Sequence, residues 1–527
     1  MATSAPVTAT GAPLYDGILS GTKWSGTVTY SFPDAGTDYA NPYTGSSNAE
    51  PTSPGFAQVS AEQMRAIRHI LDGTGAPGNG SNFGNVEGIT NINFTELAVG
   101  TGGADMMIAQ SPDANPTAFA YYPANNDVGG DTWFGSSNNY RNPQLGDYSY
   151  LTHIHEIGHS LGLKHAHETG GVSNVAVPND FNSLEYTVMT YRSYVGGPNG
   201  PYSNETYGYP TTFMMLDIVS LQWMYGADYT YNSGNSVYSW SSTTGEMFIN
   251  GVGQGAPGAG IGGSANRIFQ TIWDGNGIDT YDLSNYTTNL VLDLTPGNHS
   301  VFSSAQLANL GAGHFARGNV FNALQWPNDF RSLIENATGG AGNDVILGNL
   351  TGNVLRGGAG QDTIRGGFGG DLIYGNTDND LIYGNQDGDV IFGGQQNDIL
   401  FGGRNNDVIY GNFHNDVIYG NFENDFLYGG QGNDTIFGGQ GDDVVFGNLG
   451  DDILRGNLGA DRFTFGGNSG VDRVMEFNYG SGDRLAIQGQ SYTAHDTAEG
   501  FVIDLSGGGS IILVNLHQSD FSTAFFV

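Results

Sequence analysis

Two spacings of apolar residues divide the chain. Met64, Ile67, Ile70 and Leu71 lie on one helical face, with Ser60 and Gln63 placed as a capping box and Gly73 as the stop. A second helix is predicted from about 147 to 163. A third is predicted over 212–225, where Leu216, Val219 and Met224 share a face and Gly226 closes it. Runs of β-branched and aromatic residues predict strands at 26–32, ended by Pro33, and at 89–97 and 117–123. Residues 34–57, rich in Pro, Gly, Asn and Ser, read as loop, and residues 1–20 as a flexible leader.

From about 245 to 338 the pattern becomes short strands between Gly, Asn and Asp turns. A nine-residue period then runs from 339 to about 465, and the last sixty or so residues return to strand-like alternation. Asp stands at 344, 362, 371, 380, 389, 398, 407, 416, 425, 434, 443, 452 and 461, and Asn353 is the one break. Two residues after each comes an apolar side chain, from Ile346 and Leu355 through to Leu454 and Phe463. Each unit reads as a Gly-rich turn and a three-residue strand whose central side chain points inward. Two units make one turn of a parallel β-roll, and stacking buries the apolar column.

Composition narrows the chemistry. The 527 residues suffice for two or three domains, and 85 glycines without a three-residue period fit the nine-residue repeat. A formal net charge of −36 repels nucleic acid and anionic lipid. The same Asp residues suit a hard cation. No cysteine is present, so disulfides, thiolate metal sites and thiol nucleophiles are excluded together. The first eleven residues lack the basic start and apolar run of a Sec-type signal, and no stretch is long and apolar enough to span a membrane.

The second helix carries His155-Glu-Ile-Gly-His-Ser-Leu-Gly-Leu-Lys-His165. His155 and His159, one turn apart, can grip one zinc ion from the same helix face. Gly162 lets the chain bend so that His165 reaches the same ion. Three His ligands leave a position open for water, the arrangement of a catalytic site. Glu156 borders that face, placed to take the proton of the metal-activated water and hand it to a leaving amine. His153 lies on the opposite side of the helix and reads as packed or surface, and His167 as surface.

Downstream, Met189 and Tyr191 follow as Met-x-Tyr. Together with the extended His motif this resembles the Met-turn of metzincin peptidases. The chain resembles the serralysin branch (peptidase family M10B) at 27–33, 92–96, 118–123, 217–227, 273–282 and 334–343, in order. The resemblance implies that Tyr191 can ligate zinc and swing away to hydrogen-bond the transition state, and that Met189 lies beneath the metal. It makes 117–122 the upper rim of the cleft, with Ala118, Ala120 and Tyr122 binding substrate as an added strand. Where the family has Pro-Gly-Asp after the third His, this chain has Ala-His-Glu at 166–168.

The repeats resemble RTX repeats, which implies Ca²⁺ held by Asp carboxylates and turn carbonyls, and folding that depends on it. Gly339 with Asp344, Gly357 with Asp362, Gly366 with Asp371, Gly429 with Asp434 and Gly438 with Asp443 match the full pattern, while the units ending at Asp452 and Asp461 have Asn for the second Gly. Central units put Asp378, Asp387, Gln396, Asn405, His414 or Glu423 at the fourth position, where left-handed backbone suits Asn but suits Gln and Glu poorly. Ca²⁺ is therefore expected mainly at both ends of the roll, with stacked Asn side chains at the centre. Equal binding by every turn is the alternative. RTX proteins are exported by type I channels through a C-terminal signal, and this chain ends in Ala524-Phe-Phe-Val527.

The expected fold is an α+β metzincin domain, a twisted mixed sheet with long helices, followed by an all-β parallel β-roll or sandwich domain. The expected boundaries are a leader or short propeptide at 1–20, a zinc peptidase domain at 21–245 and a β-rich connection at 246–338. An RTX β-roll at 339–465 and a C-terminal β region with the export signal at 466–527 complete the chain. The expected function is a secreted, monomeric zinc- and calcium-dependent endopeptidase acting on extracellular proteins or peptides, exported by a type I apparatus. It would bind no nucleic acid and insert in no membrane. The alternative is a calcium-dependent extracellular surface or scaffold protein with an inactive peptidase domain.

Overall fold

Local sequence accounts for the helices that frame the site. The computed structural model describes residues 2–45, 50–75, 83–260, 263–325 and 329–527. The helix Ala61–Leu71 starts at the expected capping box, with Gln63 N–H donating to Ser60 Oγ and Ser60 N–H to Gln63 Oε1. The helix Tyr148–Ser160 is capped by Asp147, whose carboxylate accepts from Tyr150 N–H at 2.7 Å. Met215–Tyr225 ends at Gly226, with φ of 82°.

The chain forms two compact units, residues 1–279 with 296–334, and 280–295 with 335–527. In the first, a sheet runs in the order Phe94–Glu96, Val28–Ser31, Met106–Gln110, Thr132–Phe134, Ala118–Ala120. Its pairs are parallel up to Thr132–Phe134, against which Ala118–Ala120 lies antiparallel at the edge. The core joins Val28, Tyr30 and Ile108 of the sheet to Ile67 and to Leu151, Ile154 and Ile157 of the Tyr148–Ser160 helix. Trp24 Nε1 donates to Ser160 O at 2.9 Å and ties down the end of that helix.

Two expectations for this unit change. The run 89–97 is not one strand: Val86–Ile89 is a helical turn, because Asn85 caps it by accepting from Gly88 N–H, and only Phe94–Glu96 is extended. The leader is docked rather than flexible over its described residues. Thr3–Pro6 pairs antiparallel with Thr22–Ser25, and Ile18 and Leu19 are fully buried. Burying those two apolar side chains offsets the entropy of ordering the segment.

The second unit is the β-roll. Its alternate strands stack into two parallel sheets, one through Asn336–Thr338, Val354–Ala359 and Leu372–Thr377, the other through Val345–Leu347, Thr363–Gly367 and Leu381–Asn385. The inward column from Ile346 to Phe463 is fully buried. Most strands run five or six residues instead of three, because pairing continues past the glycine, as in Gly358 opposite Asn376. The roll also begins before 339. Thr280–Asp282 pairs parallel with Asn336–Thr338, and Val291–Asp293 with Val345–Leu347. This first rung lacks the glycine–aspartate period, but Tyr281 and Leu292 supply the buried column. At the other end Val471–Met475 and Ser510–Val514 extend one sheet, followed by antiparallel Gly500–Leu505 and Tyr492–Asp496.

Candidate metal centre

The helix Tyr148–Ser160 presents His155 and His159 one turn apart, and the bend after it delivers His165. Gly162 makes the bend at φ of 104°, and a Cβ there would lie 2.2 Å from Thr22 O. Each of the three rings commits its Nδ1 to an acceptor. His155 Nδ1 faces Val188 O at 2.7 Å, His159 Nδ1 faces Leu163 O at 2.7 Å, and His165 Nδ1 faces Glu168 Oε1 at 2.8 Å. Because these acceptors have no proton to give, each Nδ1 is the N–H and each Nε2 carries a lone pair.

The lone pairs converge. One nitrogen of each ring lies within 4.8 Å of those of the others, and His159 Nε2 is 3.0 Å from His165 Nε2. Two acceptors that close repel unless a cation lies between them, so this donor set fits Zn²⁺. Burial holds His155 near 4 and His165 near 3, so the rings are neutral ligands at physiological pH. The Tyr191 hydroxyl lies 2.7 Å from His165 Nε2, where it can reach the same centre. Its phenol is held above the usual range, chiefly by burial.

Glu156 is buried, and its Oε2 has no hydrogen-bond partner among the described residues. Burial raises its carboxyl to about 8. Met189 is fully buried beneath the helix, and a Cβ on Gly158 would lie 2.7 Å from its sulfur. The strand Ala118–Ala120 passes in front of the helix as the sheet edge, and the Tyr122 ring meets the His159 ring edge-on at 5.7 Å. Beside His155 and Glu156 opens a cavity of about 580 Å³, walled by Tyr148, Leu151, Thr152, Tyr202 and Tyr209 and reached by Thr117 and Ala118.

The other two histidines differ from each other. His153 is fully buried, stacked on Phe134 at 4.2 Å, as a packed residue. His167 is not a free surface residue. Its ring stacks on His165 at 5.4 Å and packs on Tyr191 at 5.0 Å.

Two supports of the centre were not read from the sequence. Glu168 stands three residues after His165, a spacing that signals contact only once the loop is known to curl. Asp217, on the third helix, accepts from Val188 N–H, Thr187 Oγ1 and Met214 N–H, and so holds the carbonyl-bearing turn against which His155 is fixed. Its burial raises the carboxyl to about 7.

In the roll, each aspartate from Asp362 to Asp461 has Oδ1 accepting the backbone N–H of the residue one turn earlier, as in Asp344 N–H to Asp362 Oδ1 at 2.8 Å. Its Oδ2 is buried without a partner among the described residues, including Asp398, Asp407, Asp416 and Asp425 at the centre. Room for that oxygen comes from the glycine five residues before: a Cβ on Gly357 would lie 2.1 Å from Asp362 Oδ2, and on Gly366 2.0 Å from Asp371 Oδ2. Gly429 with Asp434 and Gly438 with Asp443 repeat this geometry at 2.3 Å. Rows of unpartnered buried carboxylate oxygens beside turn carbonyls fit Ca²⁺. Asp344 differs, since its Oδ2 accepts from Gly340 N–H. The ladder also continues beyond Asp461. Asp452 N–H donates to Asp472 and Asp461 N–H to Asp483, and Asp472 Oδ2 is unpartnered. Steps of 20 and 22 residues, in place of 18, hid these two from the period.

The central turns hold left-handed backbone at Gln396, His414 and Glu423, with φ of 70°, 72° and 67°, against the expectation for such side chains. Their side chains compensate by capping a backbone N–H one turn back. Asp378 N–H donates to Gln396 Oε1 at 2.9 Å, Gln396 N–H to His414 Nδ1 at 3.1 Å, and Asn405 N–H to Glu423 Oε2 at 3.0 Å. Asn side chains stack beside them, as Asn379 Oδ1 accepts from Asn397 N–H and Asn397 Oδ1 from Asn415 N–H.

Comparison with known proteins agrees with both halves. Residues 81–181 match the matrixin family model, and segments between 338 and 474 match the RTX calcium-binding nonapeptide repeat. The chain is 33% identical over 290 residues to a serralysin of Proteus mirabilis, an alignment covering 51% of this chain and 52% of the relative. It is 32% identical to metallopeptidase AprA of Pseudomonas marginalis, with the same coverage, and 29% identical to serralysin B of Dickeya chrysanthemi over 62% of this chain and 61% of the relative. The chain thus spans about half the length of the first two of these curated relatives and somewhat more of the third.

Proposed function

From a serralysin-like chain, in which a matrixin domain precedes RTX calcium-binding repeats, we propose a secreted zinc endopeptidase that cleaves extracellular proteins and is folded by calcium. The observation that carries this is the convergence of three Nε2 lone pairs beside the unpartnered Oε2 of Glu156. Zinc held by His155, His159 and His165, with Tyr191 within reach, supplies Lewis acidity that activates water and polarises a peptide carbonyl.

The chain's own groups do the rest. Glu156, whose buried carboxyl the positive charge of a zinc ion at the three histidines would hold ionised, takes the proton of the activated water at Oε2 and passes it to the departing amine. Tyr191 stays protonated because its phenol is raised, so it can donate a hydrogen bond to the developing oxyanion. The edge strand Ala118–Ala120 offers backbone groups to an extended peptide, with Tyr122 flanking it beside His159. The tyrosine-walled cavity suits a large apolar or aromatic side chain next to the scissile bond.

Calcium sits in the turns of the roll. The unpartnered Oδ2 atoms are as regular at Asp380–Asp425 as at the two ends, which favours binding along the whole stack over binding at the ends alone. Asp398→Asn would then lower calcium stoichiometry as much as Asp434→Asn would. Export by a type I apparatus accords with the RTX repeats, and calcium outside the cell would complete the fold.

The test is hydrolysis of an unstructured protein such as casein in excess calcium, with and without a zinc-selective chelator, beside Glu156→Ala. Activity abolished by chelator, restored by zinc, and reduced by about 10²–10⁴-fold in the variant is expected. A metal-loaded, folded native protein without hydrolysis would leave the inert scaffold reading instead.

A further inference from the structure

We infer that Glu168 is a positioning residue for the third zinc ligand, and that it makes zinc retention depend on one exposed carboxylate. The inference rests on the zinc reading above. The three imidazoles are not held alike. His155 and His159 donate Nδ1–H to Val188 O and Leu163 O, which are backbone carbonyls that no substitution removes. His165 donates instead to a side chain, Glu168 Oε1 at 2.8 Å, and 45% of that side chain is exposed. His165 is also the ligand that comes from the bend and not from the helix, so no helical backbone fixes its ring.

What else touches the ring does not choose its tautomer. His167 stacks on it at 5.4 Å and Tyr191 packs at 4.5 Å, which limit tilt, and the Tyr191 hydroxyl 2.7 Å from Nε2 can donate to a lone pair or accept from an N–H there, so it is compatible with either tautomer. The Glu168 carboxylate only accepts, so it fixes the proton on Nδ1 and directs the Nε2 lone pair toward His159 Nε2. Without it, the ring can take its other tautomer, or turn, and the third ligand is lost part of the time.

Zinc affinity, measured by competition with a chromophoric chelator in excess calcium, tests this. Glu168→Ala is expected to weaken zinc binding by about 10–100-fold. Glu168→Gln, whose amide oxygen still accepts, is expected to retain most of the affinity. The visible spectrum of the cobalt-substituted protein should change in the alanine variant and not in the glutamine variant, while the metal-free melting temperature stays that of the native protein in both. Native zinc affinity and an unchanged cobalt spectrum in Glu168→Ala would overturn the inference. So would an equal loss in both variants accompanied by a lower metal-free melting temperature. A native protein that takes up no zinc at all would bring down the underlying peptidase reading, and native zinc uptake indifferent to Glu168→Ala brings down this inference alone.

Discussion

Gly162 shows how one residue converts a helix into a three-ligand site. Its φ of 104° is closed to most side chains, and the nearby Thr22 carbonyl leaves no room for a methyl group. Gly162→Ala is expected to cost at least about 1–3 kcal/mol in backbone strain and to displace His165. Thermal melting together with zinc titration measures both effects, and a variant that melts and binds as the native protein does would contradict the geometry. His155, Glu156, His159, Gly162 and His165 were legible because helical period and glycine chemistry are written in adjacent letters. Asp217 was not. It acts on Val188 from a helix about thirty residues on, and nothing local separates a cap for its own helix from a brace for another turn.

At the scale of elements, the Ala61–Leu71 helix meets the zinc helix through His69, whose Nδ1 lies 2.7 Å from the Tyr150 hydroxyl in a buried contact. Burial lowers His69 from the usual 6.5 to about 4. The folded value is depressed, so the unfolded chain takes up a proton first as pH falls. The contribution is complete above pH 6.5 and is lost progressively toward pH 4. This amounts to about 2 kcal/mol between pH 7 and 5. Denaturant midpoints at those two pH values, compared between the native protein and His69→Phe, check it: the variant should show the smaller drop. Removing Asp217 by Asp217→Ala leaves buried donors of the Met189 turn unpaired and is expected to cost a few kcal/mol, read as a lower melting temperature. Helices were the most readable elements, since both caps and period mark them. The 89–97 run misled because it opens on the last residue of the helical turn that Asn85 caps and becomes a strand only at Phe94.

For the molecule as a whole, the buried aspartates should couple folding to both calcium and protons. Burial raises Asp380, Asp407, Asp416 and Asp443 to about 8, and Asp398 and Asp434 to about 7. These folded values lie above the unfolded ones. In calcium-free solution the roll therefore keeps their contribution at low pH and loses it as pH rises toward 8. Calcium needs the ionised carboxylates, so its binding should release protons in the same range and reverse that trend. β-sheet circular dichroism across pH 5–8, with chelator and with calcium, should show opposite slopes, and parallel slopes would refute the coupling. The nine-residue period made the roll legible from Asp344 to Asp461. Its ends were hidden where insertions stretch the step to Asp472 and Asp483, and where the first rung lacks the motif altogether.

That first rung has a practical bearing on anyone who would isolate the repeats. Residues 280–295 close the roll at one end, yet the polypeptide leaves for 296–334 before returning to lay down the next layer. A fragment cut at the first glycine–aspartate repeat would be missing its lid. Asp344 would lose the Leu290 amide it now accepts from, and the Ile346 and Leu355 side chains would face water. An autonomous calcium module from this protein must carry 280–295 with it, grafted directly or with the whole excursion retained.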